Sequence, residues 1–165
     1  MKCMIAITRF NATTWEENHS WRKKNNWIGA AYGSPVRASS SITENIPLFV
    51  LEMHNTENKI KGIGLIRNVP LAKGHYKIYS DGNYNRYTYS SKYRIDRTSL
   101  IKKEEAIIHI LDVLLFTGSR HLKRGQGINA LPLWIVNTKH INFLAFFREM
   151  FKHRYKDINS QPISK

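Results

Sequence analysis

Hydrophobic positions alternate or cluster in short runs along the first part of the chain and recur at helical spacing from Leu100 onward. CMIAITRF (3–10) alternates and is rich in β-branched residues, which predicts a first strand. NATTWEENHSWRKK (11–24) predicts a helix with Thr13 or Thr14 as N-cap and Glu16 and Glu17 in the first turn, where carboxylates suit the dipole. Residues 25–47 are rich in turn formers and predict loops with a short strand or helical turn. PLFVLEM (47–53) and KIKGIGLIRNV (59–69) predict a hairpin through HNTEN (54–58). Gly62 and Gly64 in its second strand imply a bulge or a close approach by another backbone. HYKIYS (75–80), YNRYTYS (84–90) and YRIDR (93–97) are further short strand candidates, with DGN (81–83) as a hairpin turn.

In SLIKKEEAIIHILDVLLF (99–116) the apolar residues fall on one helical face, with Ser99 as cap and Gly118 where a C-terminal glycine would stop the helix. LPLWIV (131–136) reads as a short strand or buried segment, and NTKHINFLAFFREMFKHRY (137–155) as a last helix capped by Asn137 or Thr138. The sum is an α+β fold: a curved, mainly antiparallel sheet, or a small barrel, with about three helices. Without repeats or low-complexity linkers, the division is one basic domain over 1–157 and a polar tail over 158–165.

Charge changes this picture more than size does. The chain of 165 residues carries 26 Lys and Arg against 12 Asp and Glu, a formal net charge of +14. Such a surface attracts polyanions, nucleic acid first and an anionic membrane or acidic protein second. Cys3 is the single cysteine, which excludes a disulfide framework and Cys-rich zinc sites. The opening MKCMIAITRF is interrupted by Arg9 too early for a signal peptide or membrane span, so an intracellular or virion setting is expected. The abundance of Asn, Ile, Lys and Tyr points to AT-rich coding, as in some large DNA viruses and some bacteria. A homo-oligomer is compatible with all of this.

The charge is also segregated. Asn18–Thr43, with Arg22, Lys23, Lys24 and Arg37, contains no acidic residue, and neither does Val113–Arg148, with Arg120, Lys123, Arg124 and Lys139. A face that meets phosphates excludes carboxylates, whereas an ordinary solvated face mixes signs. In the first window Trp15, Trp21 and Trp27 recur every six residues, a spacing that fits neither one helical face nor one strand face. Trp27 and Tyr32 are the candidate stacking aromatics, followed by Gly33, Ser34 and Pro35. In the second window TGSRHLKRGQGIN (117–129) is not a Walker loop: no strand precedes it and no Lys-Ser or Lys-Thr follows a glycine at the needed spacing. Arg120 and His121 fit the end of the preceding helix, which leaves Lys123 and Arg124, between glycines, as a candidate backbone clamp.

Catalytic signals are thin. The seven His are scattered, Glu52 in EMH (52–54) has no second carboxylate at a metal-ligand spacing and reads as a solvent-facing strand carboxylate, and Ser39, Ser40 and Ser41 lack a nucleophile context. His109, near the apolar helix face, reads as a packed histidine rather than a base. No cofactor or metal motif is present. Three functions remain: a non-enzymatic nucleic-acid-binding domain, a basic structural or virion assembly protein, and a metal-dependent nuclease that would need carboxylates converging on Glu52.

Over roughly the first 70 residues the order of elements resembles the PUA-like superfamily, especially its EVE and YTH branches. CMIAITRF stands for the first strand. WIGAAYGSPVRAS (27–39) is similar to the EVE loop pattern of a Trp, a Gly and a Tyr followed by a basic residue, and residues 47–69 look like the central hairpin. These families bind RNA or modified bases beside the aromatic loop. The resemblance therefore implies a small PUA-like barrel in which Trp27 and Tyr32 line a pocket and Ser34 meets a base edge. The C-terminal half departs from the compact family pattern and would form an added basic wall.

Overall fold

The computed structural model describes residues 2–72 and 76–158. Strand β1 (Met4–Phe10) runs into helix α1 (Ala12–Lys24), then β2 (Ala30–Ser34), β3 (Pro47–His54), β4 (Lys59–Arg67), β5 (Tyr87–Ser91) and β6 (Arg94–Asp96). Helix α2 (Lys102–Phe116), the two-residue β7 (Asn129–Ala130), the single-turn α3 (Leu133–Val136) and α4 (Phe143–Arg154) complete the chain. Five strands form one sheet in the order β6-β4-β3-β1-β7, and β2 pairs with β5 in a second. The fold is α+β as expected, but the large sheet is mixed: β1 lies parallel to β3, with Ile7 opposite Leu51, because α1 and β2 make a crossover between them. Among the described residues the strands do not close into a barrel.

Period-two alternation assigns two cores to the two faces of the large sheet. Ile5, Ile7, Phe49, Leu51, Ile63 and Leu65 face α2 and α4, where Leu111, Leu115, Phe147 and Phe151 meet them. Ala6, Leu48, Val50 and Ile66 face the small sheet and α1, packing with Trp15, Ala31 and Tyr89. One short segment carries the chain directly from the small sheet into the large one. Between β5 and β6 the chain bends at Ser91–Tyr93; Ser91 Oγ donates to Leu65 O, and Leu65 N–H donates to Tyr93 O at 3.0 Å.

Local departures from expectation have local causes. Asn11, not Thr13 or Thr14, caps α1: its Oδ1 accepts the Thr14 N–H at 2.8 Å while Thr14 Oγ1 accepts the Asn11 N–H at 3.0 Å. Glu17 is thereby moved past the first turn and accepts the Ser80 N–H at 2.7 Å. Of the strand expected over 75–80, His75 lies outside the described residues. Residues 76–80 are not a strand, because Asn85 Oδ1 takes both the Ile78 and Tyr79 N–H groups, each at 2.9 Å. DGN accordingly opens a 3-10 turn (Gly82–Asn85) instead of a hairpin.

The second half departs in the same local fashion. Ser99 donates to Asp96 O and leaves the start of α2 to Glu104, whose carboxylate accepts the Ile101 N–H at 3.0 Å. Gly118, at φ +79°, does stop α2. LPLWIV turns into α3 after Pro132, so α4 starts later than expected and is capped by Asn142 through the Ala145 N–H. His109 is exposed rather than packed. The register of β3 and β4 shifts between Leu51 and Met53, the bulge expected near Gly62. The groups pressed against Gly62 and Gly64, however, are the side chains of Arg94 and Tyr32, not another backbone. Ile158 is buried, and the remainder of the polar tail expected over 158–165 lies outside the described residues.

Candidate nucleic-acid interface

Two polar regions lie on the small-sheet side of the large sheet. The first is closed. Glu52, 2% exposed in mid-β3, receives Arg94 from β6 in a bidentate pair (Nη2–Oε1 2.6 Å, Nε–Oε2 2.9 Å) and the Tyr32 hydroxyl from β2 at 2.7 Å. Burial pulls the Arg94 guanidinium down, but the Glu52 charge and hydrogen bonds hold it above its ordinary value. Burial and the Glu52 charge push the Tyr32 phenol well up, so it stays protonated and donating. Trp15 of α1 covers the network, with the Arg22, Lys61 and Arg94 cations 5.5, 5.8 and 5.9 Å from its ring centroid.

The second is an open cleft of about 230 Å³ at the carboxyl ends of the parallel strands β1 and β3, beside the start of α1. Crevices outside the carboxyl ends of parallel strands are the usual ligand sites of open α/β sheets. Arg9, near the end of β1, lies in its lining with Nε donating to Leu122 O and Nη1 to Asn129 Oδ1, both at 2.6 Å. These acceptors are neutral. Burial lowers the Arg9 guanidinium from its ordinary value, and no carboxylate lines the cleft. One wall is Gly33, Ser34 and Pro35 at the end of β2; another is Gly125, Gln126 and Gly127. Gly125 sits over the Arg9 guanidinium so closely that a Cβ there would be 3.0 Å from Nη1, and a Cβ on Gly127 would be 2.9 Å from Ser34 Oγ. Both glycines have positive φ, +118° and +76°, so this wall is bare backbone for steric and conformational reasons together. Asn55 ties the loop to the end of β3 by donating to Lys123 O at 2.8 Å.

The candidate binding residues separate into four groups. Ser34, Lys123 and Arg124 belong to the cleft or its rim, with Arg37 two residues beyond Pro35 and 5.2 Å from the Tyr87 ring centroid. Trp27, Lys23 and Lys24 gather at the other end of α1, about 20 Å away for a helix of 13 residues. There the Trp27 ring packs on Trp21 and Tyr76, and its Nε1 donates to Ala30 O at 3.0 Å.

Tyr32 and Arg22 correct the sequence reading: both point inward. Tyr32, 2% exposed, offers no ring face to a base because its hydroxyl is drawn to Glu52. Arg22, 9% exposed, stacks on Trp15 and binds Asn18 Oδ1, while its Nη2 has no partner. Arg120 is exposed and lies 5.1 Å from the Trp134 ring centroid. His121 Nδ1 accepts the Lys123 N–H instead of complementing the end of α2.

Arg9 was missed by a reading centred on runs of charge. Its signal was present in TRFN: a lone cation at the end of an apolar strand, two residues before a helix cap. Glu52, in turn, is neither exposed nor free to bind a metal, since both carboxylate oxygens are taken by Arg94 and Tyr32. Among the described residues no group of three or more His, Cys, Asp and Glu side chains is arranged to hold a metal ion, and no helix is long and apolar enough to cross a membrane. Compared with protein-family models, curated proteins and solved structures, the chain matches none.

Proposed function

We propose that this protein is a nucleic-acid-binding domain whose contact face is centred on the cleft between β2 and the 125–127 loop. The observation that carries this reading is the cleft lining: free of carboxylates, and containing a half-buried arginine with no acidic partner. Arg124 and Lys123 on one rim and Arg37 on the other extend a cationic track beyond the cleft, where backbone phosphates would lie. Trp27, half-buried beside Lys23 and Lys24, is a second, peripheral place for a base to stack. The segment bent at Ser91–Tyr93, which passes from one sheet into the other, supports placing both sheets in an open, curled arrangement of the PUA-like kind, whose members bind RNA or modified bases.

Anisotropy of labelled single-stranded RNA and DNA, measured across a salt series, tests the proposal. Binding that weakens steeply with salt is expected, since each phosphate contact releases counterions. A flat salt dependence, or no binding at low salt, overturns it.

A further inference from the structure

The geometry points to a narrower role for the cleft: it is a seat for one phosphate group, an inference that rests on the nucleic-acid reading and names what that site holds. Three independent features converge there. The first is the charge on Arg9. A guanidinium has five N–H donors; Leu122 O and Asn129 Oδ1 take two, so the remaining edge is fixed in place and unspent. A partly buried cation among neutral acceptors is stabilised by an anion entering the cleft.

The second is the glycine wall. The backbone N–H groups of Arg124, Gly125, Gln126 and Gly127 have no hydrogen-bond partner among the described residues. Successive free N–H groups in a segment with positive-φ glycines form a concavity suited to an anion, and both glycines admit no side chain that would fill it. The third is the start of α1, where Asn11 and Thr14 line the cleft and no acidic residue occupies the first turn. Its dipole adds partial positive charge to the cleft. The size fits the same ligand: about 230 Å³ is below the roughly 300–1,000 Å³ of sites that enclose a whole small molecule or cofactor. The phosphate is either an internal link of a strand or a terminal or free monoester.

The test uses the full chain and two variants. Gln126→Glu places a carboxylate on the wall at an exposed residue without removing a bond; Arg9→Gln removes the charge. Inorganic phosphate and a nucleoside 5′-monophosphate are titrated while backbone amide shifts are followed by NMR. Oligonucleotides with a 5′-hydroxyl or a 5′-phosphate are then compared by anisotropy across salt. Saturable shifts at 124–127 are expected, with affinity for oligonucleotide reduced about tenfold by Gln126→Glu and the salt slope reduced by about one by Arg9→Gln. Preference for the 5′-phosphate identifies a terminal group, and equal binding an internal one.

Shifts scattered over surface lysines, or an unchanged affinity in Gln126→Glu, overturn the seat. Steep salt-dependent binding of oligonucleotide in that same case leaves the broader reading standing. Absence of oligonucleotide binding with saturable shifts at 124–127 does the reverse. If Arg9→Gln does not fold, Gln126→Glu alone decides.

Discussion

Arg94 and Arg9 are both drawn into the protein from strands of the same sheet, and they are satisfied in opposite ways. Arg94 meets a carboxylate head-on, with Tyr32 completing the acceptor's coordination and Trp15 closing the site to water. Arg9 meets a carbonyl and an amide oxygen, keeps its full charge, and faces open space. A guanidinium neutralised inside the fold is a strut. One held rigid by neutral groups at the edge of a cleft is preorganised for an anion from outside, which is why the sign of the partner says more about a buried arginine's role than burial does.

The contrast breaks most visibly at Glu52. Glu52→Ala leaves the buried Arg94 charge with only the partly exposed Asp96 carboxylate as counter-ion and the Tyr32 hydroxyl without an acceptor. It should cost about 3–5 kcal/mol, seen as a melting temperature about 10 °C lower in a thermal scan. Replacing Glu52 and Arg94 together by Met should recover most of that loss, and failure to recover would show that the pair does more than neutralise itself. Arg9→Gln should cost only about 1 kcal/mol by urea unfolding, the net worth of its hydrogen bonds. A loss as large as at Glu52 would make Arg9 a strut as well. Arg22→Met keeps an aliphatic stem over Trp15 and removes an unpaired Nη2 but takes the donor from the buried Asn18 Oδ1, so it should cost about 1 kcal/mol.

The smallest effect expected is acid sensitivity at Asp96. Partial burial pushes its carboxyl up, but the Thr98 hydroxyl and amide and the Arg94 guanidinium outweigh this and bring it from 3.8 down to about 2. Because the folded value is the lower one, this contribution is complete above about pH 4 and is lost as pH falls toward 2. Asp96→Asn should flatten the stability profile in that window alone.

Sequence periodicity located most elements because each buries its own stripe: β1, the β3–β4 hairpin, α2 and α4 are all legible in which residues recur on one face. It failed where a single side chain redirected the backbone, as Asn85 does at Ile78 and Tyr79. The parallel pairing of β1 with β3 left no local trace either, since strand order is settled by the crossover and not by either strand. At the candidate site, the acid-free windows include Ser34, which lines the cleft, and Lys123 and Arg124, which directly precede its Gly125–Gly127 lining. They also swept in Arg22 and Tyr32, whose inward orientation depends on Glu52 and Trp15 from elsewhere in the chain.

The bonds that fix Arg9 span 113 and 120 residues of sequence. On the ribosome, β1 leaves the exit tunnel long before Leu122 and Asn129 have been synthesised, and closing a loop of that length is entropically unfavourable until the intervening sheet exists. The cleft is therefore a late product of biosynthesis. A nascent or prematurely terminated chain can carry most of the positive charge without yet presenting a shaped place to put it.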